Sequence, residues 1–417
     1  MRVYLDNSAT TRVSESAAAS VLRCMTEEYG NPSSLHSFGQ SARKILRESR
    51  ETIAALAGVR PAGVVFTSGG TEADNLAFAP LFRDPSRLPD RRILISAVEH
   101  PAVSAPAERL AALGAKLLRL PCFGRNTDTP GMVNLAAAGE GGLPGADLIS
   151  VMAVNNEIGT VQPVAELCRL VRALERAGGS GRKTLIHSDA VQAFGKLRVA
   201  VAPGSGAAPS GGDAPDMISV SAHKIYGPKG VGALCCARPE KLFPLIFGGG
   251  QEDGIRSGTE NTAGIAGFAT AAREAENTMR RDAERVMELR AQLLSGILDA
   301  IPDALINSPR AASAEGTPGT CSPYILNVSF PGTRGEVLVH DLESHGIYVS
   351  TGSACSSIGK KGGNRNSSLK AIGLTDAEAD AALRFSFSRD NTAEEIGYVL
   401  ERLTDAVRRF RRIGTYR

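Results

Sequence analysis

The stretch Val64-Val65-Phe66-Thr67-Ser68-Gly69-Gly70-Thr71-Glu72 passes from β-branched and aromatic residues through two glycines into a helical pattern. Residues 64–67 read as a short buried strand, and residues 71–81 as the helix it leads into. Glycines let a backbone come close to a ligand, and the unpaired N–H groups of a helix N-terminus suit a phosphate. No lysine follows the glycines, so this is not the Walker pattern. A tight strand-to-helix turn capped by Thr71 explains the motif as well when it stands alone.

Outward from this turn the alternation continues. β-Rich runs at residues 92–96, 116–120, 148–154, 184–187 and 217–220 are separated by helical patterns that include 102–113 and 164–177. Such a chain is α/β, with a mainly parallel sheet covered on both faces. Residues 202–215 are almost wholly Ala, Pro, Gly and Ser and read as a flexible surface loop inserted between two strands. Past Asn261 a helical pattern runs to about Ala300; after a Gly/Ser/Pro-rich break, the strand-like run 324–330 opens a second domain. The tail, 377–412, reads helix, strand, helix, with Arg384 in the short run 383–387.

At 417 residues the chain exceeds the size at which one core stops growing, so a large and a smaller domain are expected. Hydrophobic residues make up 42%, charged residues 22%, and a net charge of +3 is spread over both signs, which leaves no electrostatic footprint for nucleic acid. Seven scattered cysteines without a CxxC pair argue against a disulfide framework and against a metal site of the zinc type, and favour a reducing compartment. Cys235 and Cys236, in the apolar run 230–237, read as buried small hydrophobes. The first ten residues lack the apolar core of a secretory signal, and no stretch reaches the ~20 apolar residues that cross a bilayer. A soluble, cytoplasmic protein without membrane contact is expected.

Three polar residues stand at strand ends or turns. Lys224 closes Ser219-Val220-Ser221-Ala222-His223-Lys224, where reduced solvation lets an amine lose its proton and form a Schiff base, although most lone lysines are solvated surface residues. Asp189, in Ile186-His187-Ser188-Asp189-Ala190-Val191-Gln192, either holds a pyridinium nitrogen protonated or caps a helix. His100 precedes Pro101 and equally suits a turn. Cys355 differs from the other cysteines: small residues and glycines surround it, and Lys360 and Lys361 would favour its thiolate. Such a cysteine oxidises easily, which weighs toward function.

Further motifs fall in order along the chain: Tyr4-Leu5-Asp6-Asn7-Ser8-Ala9-Thr10-Thr11, Gly30-Asn31-Pro32-Ser33-Ser34, Val154-Asn155-Asn156-Glu157-Ile158-Gly159 and Arg256-Ser257-Gly258-Thr259-Glu260-Asn261. With the glycine turn and the Asp189, Lys224 and Cys355 segments, they resemble the class V aminotransferase group, and within it the cysteine desulfurases of the NifS and IscS type. The resemblance covers nearly the whole chain. It implies the type I fold of pyridoxal-phosphate (PLP)-dependent transferases. A large α/β domain, residues 16–260, would hold a mainly parallel seven-stranded sheet covered by helices. A smaller α+β domain, residues 1–15 and 261–417, would carry the cysteine loop.

The same resemblance implies residue roles. Lys224 is similar to the lysine that binds pyridoxal 5'-phosphate as an imine, His100 to the histidine stacked on its ring, and Asp189 to the partner of its pyridine nitrogen. Gln192 resembles the donor to the phenolic oxygen, and Asn156 the neighbouring asparagine that also meets the substrate. Gly70, Thr71, Ser221 and His223 resemble the phosphate cradle. The threonine similar to Thr259 reaches the phosphate of a neighbouring subunit, which implies a homodimer. Arg384 resembles the arginine that grips the substrate carboxylate in a fork.

The implied activity takes sulfur from L-cysteine, leaving L-alanine and a persulfide on Cys355, with Lys224 and His100 carrying protons. The sulfur would pass to an acceptor protein of iron–sulfur cluster assembly or tRNA thiolation. A selenocysteine lyase or a cysteine β-lyase is the alternative on this fold, and an inert scaffold a third reading. Two features depart from the family pattern: the 202–215 insertion, and Ser388 where a glycine is commoner.

Overall fold

Four consecutive residues without a polar alternation cannot leave one face in water, and Val64–Thr67 is buried at every position. A computed structural model describes residues 1–140, 143, 145–178, 183–198, 213–351 and 367–414. In it, Val64–Thr67 is the edge of a seven-stranded sheet. The order continues through Gly232–Cys236, Met217–Ser221, Leu185–Asp189, Leu148–Ser150, Arg92–Ser96 and Lys116–Leu120. Gly232–Cys236 runs against both its neighbours, and the other strands are mutually parallel.

The runs expected at 64–67, 92–96 and 116–120 form strands with those bounds. The apolar run 148–154 stays a strand only to Ser150; further on Val154 bridges Val161, and Asn155 Oδ1 closes the turn by accepting the Glu157 and Ile158 N–H groups at 2.9 Å each. The antiparallel strand Gly232–Cys236 was visible in sequence only as a buried apolar run, because uniform burial carries no period. Its first residue is glycine for a steric reason. A Cβ on Gly232 would lie 2.5 Å from the Val220 carbonyl oxygen and 2.8 Å from the Gly69 backbone, so this strand passes beneath the glycine turn only without a side chain.

The 39-residue helix Thr262–Ala300 starts where Asn261 Oδ1 accepts the Gly264 N–H at 3.0 Å. Its first part buries Ile265, Phe268 and Ala272 against the core under the large sheet, with Phe66, Ile218 and Val220. Its later part buries Val286, Leu293 and Ile297 in a second core with Val3, Leu5, Leu326, Val328 and Phe385. That second core lies on a three-stranded antiparallel sheet in which Ile325–Ser329 sits between Ala382–Ser386 and Leu305–Ile306. Most of the 202–215 insertion, residues 202–212, lies outside the described residues. Among the described residues, no helix is long and apolar enough to cross a membrane.

Parallel strands end on one side of their sheet, where ligands of open α/β sheets bind. The segments that leave those ends are Ser68–Gly70, Glu99–His100, Asn155–Asn156, Asp189–Gln192 and Ala222–Lys224.

Candidate active site

Met217–Ser221 runs straight into the short turn Ala222–Lys224. The Lys224 amine donates to the carbonyl oxygens of Ser8 at 2.6 Å and Ala9 at 2.7 Å, so the N-terminal motif forms the opposite wall. Thr11 locks that wall in place. Its N–H and hydroxyl bond the His223 carbonyl at 2.9 and 3.0 Å, and its hydroxyl accepts the Tyr226 N–H at 2.8 Å. Tyr226 adopts the left-handed backbone region (φ 67°), which costs a non-glycine residue about 1–2 kcal/mol. The Arg389 guanidinium 4.2 Å over its ring, and the Arg389 N–H donated to its hydroxyl at 2.9 Å, offset that strain.

Asp189 ends the strand Leu185–Asp189, and its Oδ1 accepts the Val191 N–H at 2.9 Å. Desolvation raises its pKa, opposed by His100 and Lys224. His100 caps the helix Pro101–Ala112, its Nδ1 accepting the Ala102 N–H at 3.1 Å. A neutral imidazole with Nδ1 accepting carries its proton on Nε2. Burial lowers the His100 pKa, with Asp189 opposing and Lys224 adding to the effect. His100, Asp189 and Asp74, the last from the helix Gly70–Phe78, each place a side-chain atom within 4.8 Å of the others. His100 caps a helix, whereas no helix directly follows Asp189 and its Oδ1 makes only a local turn bond; both side chains nonetheless meet at one corner.

At the other end of this corner stands the glycine turn. Ser68 donates its N–H to the Glu72 carboxylate at 2.8 Å, and Glu72 pairs with Arg256 at 2.8 Å. The first internal bond of the Gly70–Phe78 helix runs from Ala73 N–H to Gly69 O, which leaves the earlier N–H groups of Gly70 and Thr71 directed out of the helix start. The Ser221 hydroxyl is buried and unpartnered among the described residues. Gln192 donates through Nε2 to the Ser8 carbonyl at 3.0 Å and keeps a second N–H. Burial, then Lys224, Lys229 and Lys196, push His223 down to about 4, so its ring, 3.2 Å from the Thr10 hydroxyl, is neutral. Thr259 is exposed, three residues beyond the Arg256 that ties its segment to Glu72. These groups could hold a phosphate at the helix start and a ring nitrogen at Asp189.

Arg384 lies on Ala382–Ser386 and is buried; Nη2 donates to Asp6 Oδ1 at 2.8 Å and Nη1 to the Asn156 carbonyl at 2.9 Å. Ser388 is no obstacle nearby. Its backbone is not left-handed, and its N–H donates to Asn391 Oδ1 at 2.8 Å, so the position does not require glycine. Cys355 and the lysines that follow it lie outside the described residues. Both flanks of that segment end at this site: Arg384 and Ser350 exchange backbone bonds of 2.7 and 3.3 Å, and the Ser368 hydroxyl accepts from Asn155 Nδ2 at 3.0 Å and bonds the Glu157 carboxylate.

Three residues at the site had no role in the sequence reading. Asp6 sat inside a quoted motif, but its partner is 378 positions away. Asp74 follows the glycine turn as an ordinary helical acid. Lys196, in Gly195-Lys196-Leu197, looks like a surface lysine, yet it is buried with its amine 5.4 Å over the Tyr324 ring, and desolvation, then Lys224 and Arg384, push it down to about 7. No local pattern marks any of the three.

The chain is 36% identical over 413 residues to cysteine desulfurase IscS of Clostridium botulinum, covering 99% of this chain and 96% of that protein. It is 38% identical to a cysteine desulfurase of Cereibacter sphaeroides, covering 100% and 98%. Among solved structures, a NifS-like protein superposes with a TM-score of 0.82 at 33% identity, over 97% of this chain and 99% of that one. The profile of the family described as aminotransferase class-V matches residues 3–399, and the chain belongs to that family.

Proposed function

We propose that this protein is a pyridoxal-phosphate-dependent cysteine desulfurase that moves sulfur from L-cysteine onto Cys355 and releases L-alanine. The observation that carries the reading is a convergence: a strand-end amine, a buried acid and a neutral imidazole meet beside a helix N-terminus, and both flanks of the Cys355 segment are fixed to the rim. Thr351, the last residue described before the segment, stands four positions from Cys355, a reach of at most ~14 Å.

Two features support the fit of the cofactor. The buried Ser221 hydroxyl and the outward Gly70 and Thr71 N–H groups suit a phosphate. Asp189, whose acid is raised by burial, gains from a cationic ring nitrogen at its side. Lys224, Asp189, His100, Gln192 and Asn156 would hold the rest. When bound, the cofactor supplies an electron sink that acidifies the substrate α-carbon and opens the side-chain sulfur to attack.

This chain's own residues do the remainder. Lys224 Nζ, released from the Ser8 and Ala9 carbonyls, takes and returns protons, and His100 presents Nε2–H to the same corner. Arg384, oriented by Asp6, meets the substrate carboxylate. The Cys355 thiolate forms a sulfur–sulfur bond to the substrate as the carbon–sulfur bond breaks; the electron pair stays on carbon, which is then protonated. L-cysteine and a thiol thus give L-alanine and a persulfide. Burial raises the thiol pKa of every described cysteine, which leaves Cys355 as the candidate thiolate.

The reading extends to a homodimer in which Thr259 completes the partner's phosphate site. In support, Leu22, Met25, Tyr29, Leu35 and Phe38 are exposed on the two N-terminal helices and the segment between them. The persulfide sulfur would pass to an acceptor protein of iron–sulfur assembly or tRNA thiolation. The test is to incubate the protein with L-cysteine, alkylate it and map the adduct by mass spectrometry. A persulfide on Cys355 with matching alanine is expected, and none in Cys355→Ala. Sulfur on another cysteine would move the acceptor thiol away from Cys355, and unimpaired sulfide release by Cys355→Ala would replace this reading by a β-lyase.

A further inference from the structure

The sheet face beneath the Gly70–Phe78 helix carries a continuous polar row. Ser150, His187 and Ser219 stand on three neighbouring strands, with His187 Nδ1 2.8 Å from the Ser150 hydroxyl and Nε2 2.9 Å from the Ser219 hydroxyl. Asp189 follows His187 by two residues and is the register partner of Ser219, so it points to the same face. Asp74 comes down from the helix onto this row. The Ser219 hydroxyl bonds its carboxyl group, and its Oδ1 lies 3.6 Å from His187 Nε2. One of its oxygens is within 4.8 Å of Asp189 and His100.

Asp74 and Asp189 are both buried, and two carboxylates this close in a dry site do not both ionise. Their surroundings decide which one keeps the proton. Asp189 accepts the Val191 N–H and lies in the field of Lys224 and His100, all of which favour its anion. Around Asp74, burial and the nearby Asp189 and Glu99 acids raise its pKa and only the Ser219 hydroxyl opposes them; His187 is held neutral by burial, and the His100 ring lies within 4.8 Å. Asp74 Oδ1 has no hydrogen-bond partner among the described residues, as suits an O–H that still lacks an acceptor.

We propose that Asp74 is a protonated, neutral acid that acts through Asp189 as a positioning residue, confining the pair's single negative charge to the carboxylate that meets the cofactor's ring nitrogen. This role rests on the cofactor site proposed above. The O–H dipole of a neutral Asp74, within 4.8 Å of Asp189, stabilises the Asp189 anion and makes it a weaker base, so the proton shared with the ring stays on the ring nitrogen. Without that dipole, Asp189 competes for it. Ser219 and His187 complete the row that holds Asp74 in place.

The test has two readouts on the full chain. Infrared difference spectra of wild type against Asp74→Asn, near neutral pH and before cofactor is added, should lose one protonated-carboxyl C=O stretch. With pyridoxal phosphate bound, the pH titration of its visible absorbance should shift by about one unit, a tenfold change, in Asp74→Ala and return in Asp74→Asn, whose amide still supplies an N–H dipole. The proposal is overturned if Asp74→Asn loses no such band, or if Asp74→Ala titrates like wild type. If Asp74→Ala does not fold, the infrared band decides alone. A wild-type protein that takes up no cofactor sinks the site reading and this role with it, whereas normal uptake without the band sinks this role only.

Discussion

In the proposed site the Asp6–Arg384 ion pair is the one that bears on the substrate carboxylate, and it shows how one residue's charge serves another's geometry. A buried guanidinium left without its carboxylate loses both orientation and compensation. Asp6→Asn should therefore raise KM for L-cysteine about tenfold with a smaller change in kcat, as measured by steady-state alanine release. Glu99 illustrates the opposite case, an acid held neutral. Its carboxyl accepts the Met152 N–H at 2.8 Å, but burial pushes it up to about 8 from the ordinary value of 4.5. Between those values the unfolded chain gives up a proton that the folded chain retains. The stability this group contributes is thus full below about pH 4.5 and lost as pH rises through about 8. Thermal unfolding followed across this range should fall less steeply in Glu99→Gln than in wild type.

At the level of elements, the site is assembled from strand ends and helix starts, and single residues serve both. His100 is the N-cap of Pro101–Ala112 as well as a member of the Asp189 corner. His100→Ala should cost about 1 kcal/mol of stability, read by denaturant unfolding, in addition to its loss of activity. His100→Asn can accept the Ala102 N–H again, so it should restore the stability while leaving the activity low. An activity that recovered together with the cap would mean that His100 matters only as a helix cap. The glycine turn has a similar double dependence. Its conformation is shaped by the Gly70–Phe78 helix above and by Gly232 of the antiparallel strand below, where any Cβ would strike the Gly69 backbone.

For the whole molecule, the decisive question is whether two chains share each site. If Thr259 acts across the interface, a Lys224→Ala chain paired with a Thr259→Ala chain rebuilds one intact site. Co-refolding the two in equal amounts should then recover about a quarter of wild-type activity at limiting cofactor, whereas the separate variants stay low. No recovery would place Thr259 in its own subunit's site or outside any site. Local period, turn chemistry and burial of consecutive residues were enough to place the strand and helix alternation, Asp189 and Lys224 beside the ends of their strands, and the long helix after Asn261, although the strand before Lys224 stops at Ser221. The sequence by itself did not reveal the reversed strand Gly232–Cys236, since an evenly apolar run has no direction. Nor did it reveal that Asp6 orients Arg384, that Asp74 stands beside Asp189, or that Lys196 is buried near Lys224. Those pairings join residues far apart in the chain, and a charged side chain acquires its neighbours and its dry surroundings only when the sheets and the long helix close around it.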